Sequence, residues 1–392
     1  MGENALTVAL TLQPESLSAC AHLSCPENSA RQLSFILNSD LTVHALRADV
    51  PVQWQCTDGE KPVFRSPAQR VTVTGEGPIT ELWVEYEGSV QFDPVQIKNW
   101  ANIVTPDFVS LSYYSVWYPQ ELPFDIAQDR VLLADDAQDW FVVKGRWDPA
   151  RSVWEYGGEG YDPFNIVAYR KERLQVVSDE AMNIYFMDPA VRPQAEAARD
   201  VYRRITEYYN GRLFPQRRLD VLDIPCAWPA IREGGGYRRR DLMWSVSPGE
   251  PGPDLTHFLA HETAHIWCTG APAETWEDWL NETTAEWSAL CFALDSGDRT
   301  LFDYTLGRHL PCAASLPPIR TRDGSRPEGV HSKGTALFYR VFEQCGAGVM
   351  EKLVRTFAAL PDADKNTASY LAALRREGLT SAADLIEPGL DI

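Results

Sequence analysis

An α+β fold is predicted by two observations on the 392-residue chain: a β-rich first part and a change of hydrophobic rhythm near residue 178. Before that point apolar residues alternate with polar ones, the period of half-buried strands. After it they recur every three or four residues, the period of amphipathic helices. This places a β-rich domain at 1–178 and a mixed, increasingly helical domain at 179–392.

The alternating segments are Ala5–Gln13, Arg31–Asn38, Thr42–Ala48, Gln69–Thr74 and Ile79–Gln91. Asp58-Gly59, Gly75, Gly77-Pro78 and Gly88 punctuate them, as turns between antiparallel strands would. Trp140–Tyr169, rich in Trp, Tyr and Gly, is assigned to the end of this domain with loops. In the second domain Asn183–Met187 and Arg218–Ile224 read as strands. Pro193–Tyr209 reads as a helix on the spacing of Ala195, Ala198, Tyr202, Ile205 and Tyr209, with Asn210-Gly211 as its stop. Leu255–Cys268, Glu282–Asp295, Ser332–Cys345, Val349–Leu360 and Thr367–Glu377 follow as helices, the last capped by Asn366 and ended by Gly378.

The formal charge is −19, from 36 basic and 55 acidic residues. Residues 1–178 carry 24 acids and 13 bases (net −11) and residues 179–392 carry 31 and 23 (net −8), so the acidity is not a tail. So negative a surface repels phosphate backbones, and no nucleic-acid partner is expected. No apolar run approaches the roughly 18 residues of a membrane span, so no membrane partner is expected. The start, MGENALTVALTLQ, lacks a basic region followed by a long apolar one. Eight cysteines without a C-x-x-C pair then read as free thiols in a reducing compartment, and the expected location is cytoplasmic.

The chemistry is concentrated in residues 261–287, HETAHIWCTGAPAETWEDWLNETTAEW. His261-Glu262-Thr263-Ala264-His265 is an H-E-x-x-H motif. On a helix of about 3.6 residues per turn both imidazoles share one face and can reach one ion. Glu262 is rotated by about 100° yet stays beside the metal, where a carboxylate can take a proton from water. The bare pentapeptide is only moderately specific, because a helix can carry two unrelated histidines. Glu286 is either a solvated carboxylate or an acceptor for the outer N–H of a ligand histidine.

Together with Trp267 and Trp279-Leu280-Asn281-Glu282, the motif resembles the aminopeptidase N / leukotriene hydrolase family of gluzincin zinc metallopeptidases. The resemblance implies Glu282 as the third ligand, one Zn²⁺ per chain, Glu262 as general base, and a thermolysin-like catalytic domain at 179–392. The loop between His265 and the W-L-N-E segment is two residues shorter than is usual there. The resemblance extends weakly over most of the chain, with Ser112–Pro119 matching a late segment of the family's N-terminal domain. It implies a minimal member, lacking the family's large C-terminal helical domain.

Two departures bear on substrate. The family's G-x-M-E-N strand grips a free α-amine with its Glu. The nearest match is Gly234-Gly235-Gly236-Tyr237-Arg238, which puts Arg238 in that place in one register and leaves Glu233 just before the glycines. These residues are the candidate substrate-binding strand, or else an ordinary tight turn. The family's Tyr-x-Lys-Gly, whose Tyr stabilises the oxyanion, is here His331-Ser332-Lys333-Gly334. His331 either donates the same hydrogen bond or merely packs at a helix start. His257, one helical turn before His261, reads as a surface helix position in preference to an accessory polar residue, and His22, His44 and His309 have no companion motif.

The expected activity is zinc-dependent cleavage of a peptide or small amide substrate, aminopeptidase-like. The alternatives are hydrolysis of a non-peptide amide, ester or epoxide metabolite, and a zinc-bearing binding protein that has lost catalysis.

Overall fold

The computed structural model describes residues 3–62, 65–90, 102–157, 165–215, 221–226, 236–239, 242–245 and 252–392. The chain forms two compact units, one chiefly Met1–Gln175 and the other chiefly Pro189–Cys226 and Gly236–Ile392.

The first unit is β-structured. Its largest sheet has seven strands in the order Arg146–Asp148, Val153–Gly157, Gln128–Ala134, Ala5–Gln13, Ser16–Ser24, Glu81–Gly88 and Leu41–Ala48. Pairing is antiparallel except between Ala5–Gln13 and Gln128–Ala134, which run parallel. A three-stranded sheet orders Gln32–Asn38, Ala68–Gly75 and Val52–Glu60, and a four-stranded one orders Trp140–Val142, Ile166–Arg170, Phe108–Leu111 and Asn102–Val104. Inward residues such as Val8, Leu23, Phe35, Val73, Val84 and Trp117 form one core.

Five strands of this unit escaped the alternation rule, among them Ser16–Ser24 and Val52–Glu60; the others are Asn102–Val104, Phe108–Leu111 and Gln128–Ala134. In Ser16–Ser24 the inward positions Leu17, Ala19, Ala21 and Leu23 include two alanines, too small to stand out. Val52–Glu60 is an edge strand with almost no buried face, so it has no pattern to detect.

The second unit carries eight α-helices among its described residues: α1 (Arg192–Tyr208), α2 (Pro253–Ala264), α3 (Trp279–Ser296), α4 (Arg299–Ala313), α5 (Val330–Cys345), α6 (Ala347–Ala358), α7 (Thr367–Arg376) and α8 (Thr380–Gly389). A five-stranded sheet ends in Leu222–Pro225, Leu242–Ser245 and Gly236–Arg239, the last at its edge. The helix α3 is buried on nearly every side, the behaviour of a helix apolar all round. It packs against α2, α4, α5 and α6 and so forms the axis of the unit. The π-turn Tyr209–Leu213 closes α1, and the Tyr209 hydroxyl donates to the Ala260 carbonyl at 2.8 Å, anchoring α2.

The helix α4 carries Gly307 in its middle and Pro311 in its last turn, which hide it from pattern reading. Asp298 caps it by accepting from Leu301 N at 2.9 Å. All eight cysteines are free thiols. No helix among the described residues is long and apolar enough to cross a membrane.

A close approach of α3 and α5 rests on one glycine. A Cβ at Gly334 would lie 1.8 Å from Thr283 Oγ1, and Thr283 is fully buried and β-branched, so it cannot swing aside. Gly334→Ala is expected to lower stability by about 1–3 kcal/mol, the usual cost of overpacking. Denaturant unfolding measures this; a loss below about 0.5 kcal/mol would show that the helices part freely.

Candidate metal centre

The helix α2 ends at Ala264, one residue before the second histidine of the motif. His265 caps it with helical dihedrals, and the next turn tightens: Ile266 N donates to Thr263 O and Trp267 N to Ala264 O. The imidazoles of His261 and His265 therefore still face the same side. The helix α3 brings Glu282 opposite them from its first turn.

Three atoms converge there. His261 Nε2 and His265 Nε2 are 3.2 Å apart, and Glu282 Oε2 lies 3.4 Å from the first and 3.5 Å from the second. Ions bound tetrahedrally by N and O at about 2.0–2.2 Å keep their ligands about 3.3 Å apart. The triangle has that size.

The proton positions point the same way. His265 Nδ1 lies 3.1 Å from the Cys268 carbonyl, which accepts only, so Nδ1 carries the hydrogen. His261 Nδ1 lies 2.5 Å from Glu286 Oε2 as an ion-pair contact without hydrogen-bond alignment. In its neutral form His265 then presents the lone pair of Nε2 to His261 and Glu282. Glu282 Oε2 is buried with no hydrogen-bond partner. Two imidazoles with one carboxylate, converging at this spacing on an open site, fit zinc.

Burial alone would raise the Glu282 carboxyl, but His331, His265 and His261 hold it well below the usual range. Glu286 behaves likewise: burial raises it, and His257 and His261 hold it well below.

A second group, His257, His261 and Glu286, is also close enough to be considered for a metal. Its distances decide against that: His257 Nε2 to Glu286 Oε1 is 2.6 Å and His261 Nδ1 to Glu286 Oε2 is 2.5 Å. These are lengths of shared protons, too short for two ligands of one ion. Glu286 is 1% exposed, and a third imidazole, His309 Nε2 from α4, lies 2.6 Å from its Oε1. His309 Nδ1 in turn lies 2.9 Å from Ser332 Oγ on α5.

Glu262 is half-buried, one residue from His261 on α2, and its charge acts on both His261 and His265. His331 is the second residue of α5, which Gly329 enters in the left-handed conformation (φ 68°). His331 Nδ1 lies 3.1 Å from Glu282 Oε2 without hydrogen-bond alignment. Arg326 Nη2 is 3.4 Å from His331 Nε2, and Arg326 Nε donates to Asp278 Oδ2 at 2.6 Å. A guanidinium only donates, so His331 Nε2 accepts and its hydrogen sits on Nδ1, on the side of the metal ligands.

Lys333 serves the fold, since its Nζ donates to the Ala313 and Leu316 carbonyls at 3.1 and 3.2 Å and so closes the end of α4. His22 and His44 belong to the first unit, where they pair with Glu81 and Glu87. Gly236–Arg239 forms the sheet-edge strand and packs against α2. Glu233, Gly234, Gly235 and the side chains of Tyr237 and Arg238 lie outside the described residues.

Residues to which sequence reasoning assigned no role are His309, Ser332, Arg326 and Asp278. His257 is buried, not on the surface as its sequence setting suggested. Its position four residues before His261, on the same helical face, was the available signal. His309 had none, because α4 itself was hidden.

No family model and no curated relative matches the chain. Solved structures do. Native leukotriene A4 hydrolase from Saccharomyces cerevisiae superposes with a TM-score of 0.67 at 13% identity, over 99% of this chain and 67% of that one. An M1 zinc metallopeptidase from Deinococcus radiodurans superposes with a TM-score of 0.61 at 12% identity, over 99% of this chain and 94% of that one. The chain shares their fold. It is an α+β protein with a β-rich N-terminal region and a helical C-terminal region.

Proposed function

We propose that this chain is a zinc-dependent hydrolase that cleaves peptide or closely related amide bonds. The observation that carries the reading is the convergence of His261 Nε2, His265 Nε2 and Glu282 Oε2 into a triangle of 3.2–3.5 Å edges. The shared fold with a zinc metallopeptidase and a leukotriene hydrolase supports it.

Zinc held by His261, His265 and Glu282 would supply a Lewis acid and a water acidic enough to lose its proton near neutral pH. Glu262 accepts that proton as general base and returns it to the leaving amine. His331 directs its Nδ1–H toward the oxygen of the substrate carbonyl, where negative charge develops. Glu286 holds His261 by its Nδ1. The edge strand Gly236–Arg239 offers backbone groups to which an extended substrate can add.

Purified protein is expected to carry about one zinc per chain. His261→Ala and Glu282→Ala should each lose most of it. Elemental analysis decides, and full zinc in both variants would remove this ligand set. Mass-spectrometric profiling of a peptide library, with Glu262→Gln as control, tests the substrate class. A wild-type chain silent on peptides but active on small amides or esters would replace the peptide reading.

A further inference from the structure

The buried carboxylate of Glu286 has more partners than one ligand histidine requires. Its Oε1 accepts from both His257 Nε2 and His309 Nε2, each at 2.6 Å, while Oε2 faces His261 Nδ1. An ionised carboxylate only accepts, so His257 and His309 present Nε2–H to it. His309 Nδ1 is then a lone pair, and it accepts from the Ser332 hydroxyl at 2.9 Å. The proton positions follow along Ser332–His309–Glu286, and Glu286 meets His261 Nδ1 through an ion-pair contact of 2.5 Å.

We propose that His309 is a positioning residue for the metal: through Glu286 it sets the orientation of His261, and through Ser332 it ties that orientation to the first turn of α5. The proposal rests on the zinc reading above. The two donors on Oε1 differ in what they can do. His257 lies one helical turn before His261 on the same helix, so it ties Glu286 only to α2. His309 comes from α4 and reaches α5, so it joins the two other helices to the site. Without it Oε1 keeps one donor and the carboxylate can rotate about its last bond, which turns Oε2 away from His261. Ser332 directly follows His331, so the same bond places the histidine that faces Glu282.

The test is the zinc dissociation constant of the whole chain, measured by competition with a chelator of known affinity. His309→Ala is expected to weaken zinc binding about 10–100-fold, the usual effect of losing such a partner. His309→Gln keeps an N–H donor near the place of Nε2 and should recover most of the affinity. Ser332→Ala removes one neutral hydrogen bond and should cost about 2–10-fold. A folded His309→Ala that binds zinc within about twofold of wild type overturns the relay, as does a Gln variant no better than Ala. If His309→Ala does not fold, Ser332→Ala carries the test, and unchanged affinity there overturns the proposal. A wild-type chain that binds no zinc removes the zinc reading and the relay together, whereas tight wild-type binding with indifferent variants removes the relay alone.

Discussion

Glu262→Gln is expected to bind zinc at the wild-type stoichiometry while turnover falls by about 10²–10⁴, the range for loss of a general acid–base. The geometry separates the two effects. Glu262 is not among the three convergent atoms, so the ligand set stays whole. It sits beside His261 on α2, rotated by about 100° from the ligand face. An amide fills the same space but cannot take a proton. Zinc quantification and steady-state kinetics on one preparation decide the matter. A glutamine variant that loses its zinc would make Glu262 a ligand, and one with wild-type turnover would remove it from the reaction.

His331→Ala is the second large effect. It is expected to keep zinc and fold and to lose about 10²–10³ in kcat, the scale for one oxyanion donor. The His331 side chain is 42% exposed, so its removal opens no sealed cavity and stability should barely move. Arg326 fixes the hydrogen on Nδ1, and that N–H lies close to Glu282 Oε2 without being aligned on it. Its direction is therefore open to a substrate oxygen. His331→Tyr should retain more activity than the alanine variant, because a phenol also donates. Kinetics alongside thermal melts separates catalysis from packing. A fall in melting temperature with unchanged turnover would assign His331 to the fold.

The motif His261–His265 was legible because helical spacing alone brings two imidazoles together. The β-rich start was legible where large apolar residues alternate, as in Ala5–Gln13, and illegible where alanine or an edge strand hides the period, as in Ser16–Ser24 and Val52–Glu60. Around the metal centre the limit was different. Glu286 gave two readings in sequence because its partners come from α2 and α4, and only packing selects between a solvated carboxylate and a buried one. The four residues His331-Ser332-Lys333-Gly334 read as one motif but do four things. His331 faces Glu282, Ser332 donates to His309, Lys333 closes α4 and Gly334 admits Thr283. No local rule assigns those roles, since each depends on a different neighbouring helix.

The spacing of the proposed metal donors along the chain also bears on how the centre assembles. His261, His265 and Glu282 fall within residues 261–282, so bringing them together closes one short loop and orders little chain. The outer contacts are made by His309 to Glu286 and by Ser332 to His309, each closing a further loop of 23 residues that brings in α4 and then α5. Contacts of short sequence separation form with the smaller entropic cost. A metal can therefore join α2 to α3 as a nearly local event, while the rigidity of the finished centre waits on the docking of α4 and α5.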